Sequence, residues 1–355
     1  MNTFTKLLFR GVFATIFTLS LSVSAFAQEE EEDDAPLSIS GSIDTYVRTA
    51  PGYEGAAPGT SFANGNGFSM GMLDLIVSKE VGKVGFVGNV VFGPRGQEAA
   101  FGAPTGLQFV NQLYGYWNVS DKVKLTMGAF NTYLGYEVIS PTANFNYTTS
   151  YMFSWGPFNQ AGLKADFALS DNFSLMLAVM NPTDVLETNT FGNHLTAGLQ
   201  LGYSGDFGSI YLNSRYGDYS GKLFQGDITA GFDISDAFFL GVNATVLEDD
   251  GAGFSGVALY PQIGVSDNFS IGVRGEYFAV KGAYLGGIGA GPIGYDTNGD
   301  GSVIDLTLSG NISVGKLTFI PEVRIDATSE DTYVNKDGEA GKSLPSLLFA
   351  AIYSF

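Results

Sequence analysis

The stretch Pro345-Ser346-Leu347-Leu348-Phe349-Ala350-Ala351-Ile352-Tyr353-Ser354-Phe355 closes the sequence. In a strand, side chains of one parity share one face. Leu347, Phe349, Ala351, Tyr353 and Phe355 make one such face, and it is wholly apolar. A strand of this kind on a sheet edge in water invites aggregation, whereas the same face against lipid is in its natural solvent. The stretch therefore predicts a strand in a wall facing lipid, with a strand of a soluble sandwich as the competing reading.

Working outward, segments of period-two alternation recur from Leu37 onward, as expected of a transmembrane barrel. Leu317, Phe319, Pro321, Val323 and Ile325 alternate with Thr318, Ile320, Glu322, Arg324 and Asp326. Phe269, Ile271, Val273 and Tyr277 oppose Ser270, Arg274 and Glu276, and Ile39, Ile43 and Val47 oppose Ser40, Asp44 and Arg48. The connections separate barrel from sandwich. Tight turns fall at Gly82-Lys83, Ser120-Asp121-Lys122, Ser170-Asp171-Asn172, Gly205-Asp206, Ser235-Asp236, Ser266-Asp267-Asn268 and Val314-Gly315. Ser, Asp and Asn bond nearby backbone and Gly accepts positive φ, which suits these residues to turns. Between them lie mostly longer connections at 50–66, 95–106, 133–158, 183–192, 219–222, 249–253, 281–301 and 329–344. Short turns on one rim and long loops on the other predict an all-β transmembrane antiparallel barrel of about sixteen strands, with short periplasmic turns and long extracellular loops. Phe349, Tyr353 and Phe355 are similar to the signal that hands outer-membrane barrels to the barrel assembly machinery. Barrels of about this size leave an aqueous channel.

The first residues have the form of a secretory signal peptide. Lys6 and Arg10 precede the apolar run 7–23, and Ala25-Phe26-Ala27 offers small-residue cleavage before Gln28. Residues 1–27 are therefore expected to be removed, which takes the formal charge from −19 to about −21. Residues 28–36 carry six consecutive acids, Glu29 to Asp34, and read as a disordered acidic lead-in to a barrel over 37–355. No later stretch reaches the roughly 18 apolar residues of a spanning helix. The absence of Cys suits an oxidising envelope compartment, and so acidic a chain lacks the basic patch of a nucleic-acid binder.

The connection 133–158 holds Tyr133, Tyr136, Phe145, Tyr147, Tyr151, Phe153, Trp155 and Phe158, with Glu137 as its sole charge. So apolar a loop does not sit extended in water. As the third long loop, it is expected to fold into the lumen, with Tyr133, Tyr136, Glu137, Phe145, Tyr147, Tyr151, Phe153 and Trp155 forming a pore constriction; packing against neighbouring loops outside the lumen is the alternative. The passage Met127-Gly128-Ala129-Phe130-Asn131-Thr132-Tyr133-Leu134-Gly135-Tyr136-Glu137, followed by Asn144 to Tyr151, Gly156-Pro157, Gly162 and Met180-Asn181-Pro182, resembles the OmpL-like β-barrel porins. Members carry Gly where this chain has Pro182, a departure bearing on the fourth loop. The resemblance implies a pore in the bacterial outer membrane without naming a solute.

Inward parity also collects Asp44, Arg48, Asp74, Arg215, Asp227, Asp233, Arg274, Glu276, Asp305, Glu322, Arg324 and Asp326. Acids predominate, so weak cation selectivity is expected; cross-strand pairing that stiffens the wall is the plainer reading of the same charges. Asp296, Asn298 and Asp300 have calcium-loop spacing, yet Thr307 stands where an EF-hand needs Glu, so a surface loop is favoured over a structural Ca²⁺ site. The single His, His194, has no nucleophile motif beside it, and no catalytic residue or further cofactor is expected. The expectation is a passive channel for small hydrophilic solutes in outer-membrane lipid. A non-conducting barrel acting as adhesin or structural envelope protein is the alternative. Homo-oligomerisation is left open.

Overall fold

Strong alternation of apolar and polar residues gives each strand one face for lipid and one for the interior, and closure into a barrel removes every unpaired edge. The computed structural model describes residues 36–53, 62–104, 106–187, 194–218, 221–285 and 293–355. The expected signal peptide and nearly all of the acidic lead-in lie outside them. Among the described residues no helix is long and apolar enough to cross a membrane.

The strands are β1 (Ser38–Thr49), β2 (Gly67–Val81), β3 (Val84–Phe92), β4 (Val110–Ser120), β5 (Val123–Asn131), β6 (Asn159–Ala168), β7 (Phe173–Met180), β8 (Thr196–Gly205), β9 (Gly208–Gly217), β10 (Leu223–Asp233), β11 (Phe238–Asp249), β12 (Ala252–Ser266), β13 (Phe269–Lys281), β14 (Gly301–Val314), β15 (Leu317–Thr328), a small hairpin of β16 (Tyr333–Val334) and β17 (Ala340–Gly341), and β18 (Ser343–Ser354). All but the hairpin form one closed barrel of sixteen antiparallel strands in sequence order, sealed by β18 between β15 and β1.

The closing strand shows how the faces divide. Phe349 is 45% exposed and Tyr353 47%, both outward, while Ala350 is fully buried and Ile352 nearly so. The seam pairs Val47 with Phe349 and Ile43 with Tyr353, so outward apolar residues meet outward apolar residues. Its last rung is Gly41 with Phe355, whose backbone groups exchange hydrogen bonds of 3.0 and 3.2 Å. On the outer face Trp117, Phe173 and Tyr216 are half exposed, as an interfacial girdle requires. Tyr46 and Phe130, near strand ends, and Tyr260, in the middle of β12, turn inward and are buried. Each has inward parity and packs on interior residues: Tyr46 on Tyr147, Tyr260 on Tyr136, and Phe130 among Met176, Ala178 and Met180.

Candidate functional site

Segment 132–158 leaves β5 and returns to β6, and its neck is closed by the Thr132 N–H donating to the Phe158 carbonyl at 2.9 Å. Loop backbone withdrawn from water must find partners for its N–H and C=O groups. The inner faces of β13 and β15 supply them. Glu322 accepts the N–H groups of Tyr147 (2.8 Å) and Thr148 (3.2 Å), and Glu276 accepts those of Tyr151 and Met152, each at 2.7 Å. Arg324 donates to the Thr149 carbonyl at 2.7 Å, and Arg274 donates to that of Thr148. Carboxylates thus hold the donors of residues 147–152 and guanidiniums hold the acceptors. Hydrogen bonds to charged groups contribute about 1.5–3 kcal/mol each. Ser150 caps the short helix Tyr151–Trp155 through the Phe153 N–H.

The wall charges also hold one another. Asp305 stands in register between Glu276 and Asp326 on neighbouring strands, an arrangement that would repel without cations. Arg274 pairs with Asp305 at 2.8 Å, and Arg324 pairs with Asp326 at 2.8 Å and Asp305 at 3.3 Å. Glu137, the loop's charged residue, completes the set on Arg274 at 2.9 Å. Of the other inward charges, Asp44 accepts from the Tyr147 hydroxyl, Arg48 donates to the Ala63 carbonyl, Asp74 accepts from Asn89 at 2.6 Å, and Arg215 pairs with Asp218 at 2.8 Å. Asp233 stands exposed at the end of β10.

The loop follows the wall from β8, where Gln200 donates to the Tyr133 carbonyl at 3.4 Å, round to β1. The Tyr133 hydroxyl donates to Ser214 (2.7 Å), Gly135 N–H to Asp227 (3.0 Å) and Tyr136 N–H to Asn243 (3.4 Å). The Tyr136 ring stacks on Tyr260 with centroids 4.2 Å apart. Beyond the arc, Arg95, from the short helix Pro94–Ala99, donates to the Tyr147 carbonyl at 2.8 Å and lies against the Tyr147 and Phe62 rings. Tyr147, Tyr151, Phe153 and Trp155 are buried, so these expected constriction residues anchor the loop and do not face water. Phe153 and Phe158 pack on Phe62 and Phe101 of neighbouring loops, which is the alternative arrangement for that end. Tyr133, Tyr136 and Phe145 are only partly buried, and Thr142 is exposed.

Five inner-wall glycines make room for this loop, a signal not used in reading the sequence. A Cβ at Gly198 would lie 2.5 Å from the Tyr133 hydroxyl, at Gly241 2.3 Å from that of Tyr136 and at Gly256 2.6 Å from Met152 Cγ. At Gly272 it would lie 2.4 Å from Phe145 Cε1, and at Gly71 2.8 Å from the Tyr147 hydroxyl. Gly272→Val should swing Phe145 away from the wall and lower single-channel conductance while the barrel still assembles; an unchanged conductance would show that Phe145 does not border the passage.

The loop's exit is fixed from loop four. Asp184 accepts the N–H groups of Phe158 (2.9 Å) and Asn159 (2.7 Å). Burial pushes its carboxyl up to about 7, against these two donors. Between pH 4 and 7 the unfolded chain has lost this proton while the folded one keeps it, so the stability contributed by Asp184 falls as pH rises through that window. Asp184→Asn should flatten this part of the pH profile of the unfolding midpoint; an unaltered profile would place its source elsewhere.

The opposite wall, along β2 and β4–β6, meets water. Glu80, Tyr114, Tyr116, Lys124, Lys164 and Asp166 are partly exposed on its inner face. Lys124 and Lys164 escaped the sequence reading, although Lys124 shares parity with the inward Thr126 and Phe130. His194 is exposed just before β8. In loop seven, Asp296 Oδ1 accepts the N–H groups of Asn298 (2.8 Å) and Asp300 (3.0 Å), which accounts for the Asp-Asn-Asp spacing as a turn. Among the described residues no group of three or more His, Cys, Asp or Glu is arranged to hold a metal.

The barrel is similar in fold to several solved outer-membrane channels. Pseudomonas putida OprB in its high-pH structure aligns with a TM-score of 0.60 at 13% identity, covering 90% of this chain and 94% of that one. The anion-selective porin from Comamonas acidovorans aligns at 0.58 and 12%, covering 90% and 99%. The outer-membrane channel DcaP of Acinetobacter baumannii aligns at 0.56 and 14%, covering 93% and 100%. No curated protein matches the sequence. Residues 36–355, the entire barrel, match the family described as "Putative beta-barrel porin-2, OmpL-like". The chain belongs to that family and is a porin-type β-barrel of the bacterial outer membrane.

Proposed function

We propose that this porin passes small hydrophilic solutes by passive diffusion between loop three and the wall formed by β4–β6. The observation that carries the reading is the one-sided docking of the loop. Its polar contacts run from Gln200 on β8 round to β1, its apolar end packs with Met72 of β2 and Val91 of β3, and water-facing polar side chains remain on β4–β6 and at the far end of β2. Within Val138 to Phe145, the exposed Thr142 and the partly exposed Ser140, Asn144 and Phe145 set the size limit, with Ile139 and Pro141 buried behind them. Weak cation preference follows from the buried acids Asp44, Asp74, Glu137, Asp227, Glu276, Asp305, Glu322 and Asp326, which outnumber Arg48, Arg95, Arg215, Arg274 and Arg324. Phe349, Tyr353 and Phe355 stand exposed on the lipid side of β18, where assembly machinery would read them.

Liposome swelling with sugars of increasing size tests the proposal. Rates should fall steeply with solute size, and no swelling with the smallest sugar from correctly folded barrel would refute it. A reversal potential favouring chloride in a KCl gradient would overturn the selectivity.

A further inference from the structure

Most inner-face charges are spoken for, but one on the water-facing wall is not. Lys124 has no carboxylate within ion-pair reach among the described residues, and its ammonium rests 3.9 Å from the centroid of the Tyr116 ring. Among the described residues Arg48 and Arg95 also have no carboxylate within ion-pair reach, but both are buried and donate to carbonyls. Lys124 is only partly buried.

Its neighbourhood is set by strand register. Lys124 lies opposite Asp166, and Thr126 opposite Lys164, which places the two lysines diagonally on adjacent strands, within reach of a shared partner. Lys164 pairs with Asp166 at 3.3 Å with both side chains about a quarter exposed, and its ammonium also lies 5.5 Å from the Phe130 ring centroid. Glu80 accepts from the Tyr116 hydroxyl (2.7 Å) and from Asn118 (3.2 Å), the residue opposite Lys124 on β4. Tyr114, two residues along β4, presents a second inward aromatic ring.

We infer that Lys124, supported by Lys164 and flanked by Tyr114 and Tyr116, forms a subsite for a small carboxylate with a flat apolar body. The inference rests on the porin reading and names a solute class for the same passage. Asp166 offsets Lys164 and the nearby Glu80 balances the charge of Lys124, so the cluster carries no net excess and its one unpaired ammonium suits a monoanion and not a dianion. The two tyrosines give a planar solute apolar surface that an acetate ion could not use. Among the described residues the other inner-face cations are buried or paired, so this ammonium is the one there that a passing anion can reach without displacing a resident partner.

The test is block of KCl current through single channels in planar bilayers by added benzoate, with acetate in parallel. Wild-type protein should show saturable block by benzoate and much weaker block by acetate. Loss of one charged hydrogen bond should weaken the benzoate block about tenfold in Lys124→Gln. Asp166→Asn, which frees Lys164, should strengthen it. Lys222→Gln, on the exposed loop before β10, should match wild type. Equal block of wild type and Lys124→Gln, with normal current steps in both, would overturn the subsite and leave the channel standing. Equal affinity for acetate would overturn the role of the tyrosines. Absence of current steps in folded wild type would overturn the porin reading itself.

Discussion

Arg274→Ala should raise single-channel conductance and lower the stability of the docked loop. The Arg274 guanidinium is fully buried and serves Asp305, Glu137, Thr148 and Thr307 together. Truncation leaves Asp305 and Glu137 as buried acids short of a counter-charge. Removing one partner of a buried ion pair costs about 3–5 kcal/mol. The barrel ladder is held by backbone bonds and does not depend on this side chain. The cost therefore falls on the contact between loop and wall, and it is relieved when the loop lifts and water reaches the acids. Conductance steps should become larger and noisier, with proteolysis cutting within residues 137–153. Arg274→Lys, which keeps the charge but not the fork of donors, should lie between the two. Wild-type conductance and protection in Arg274→Ala would show that the loop is held by its aromatic contacts alone.

Much of this was legible in the sequence because the barrel is a local code. Side-chain parity fixes the face, and turn residues fix the rim, so Ile43, Val47, Phe349 and Tyr353 could be placed outward before any pairing was known. The sorting of short and long connections gave the strand number. The occupants of the interior were less legible, since burial there depends on contacts remote in sequence. Glu322 reads as a lumen acid from its own strand, but its role as acceptor for Tyr147 and Thr148 bridges some 175 residues. Gly241, Gly256 and Gly272 read as weak strand positions, and their purpose is visible only with Tyr136, Met152 and Phe145 above them. Tyr147, Tyr151 and Trp155 looked like constriction residues because an apolar loop must hide its rings; the wall and neighbouring loops, not the passage, hide them. Lys124 and Lys164 needed only parity, but counting acids drew attention to the other wall.

Excising residues 137–153 and joining the ends with a short Gly-Ser link should have the largest effect on transport and a smaller one on folding than Arg274→Ala. With the loop gone, Arg274, Glu276, Glu322 and Arg324 face water, so no charge is left buried without a partner. The pair of Arg274 with Asp305 across strands and that of Arg324 with Asp326 along β15 remain. The loop's apolar packing and its hydrogen bonds to Glu276, Glu322, Arg274 and Arg324 are lost, but water replaces the latter, and the sixteen-strand ladder is untouched. The decisive measurement is the single-channel conductance of this shortened chain beside the full barrel in the same bilayer and salt. A conductance several-fold higher, with a larger sugar cutoff, is expected if loop three narrows the passage. Equal conductance from two correctly folded barrels would contradict it.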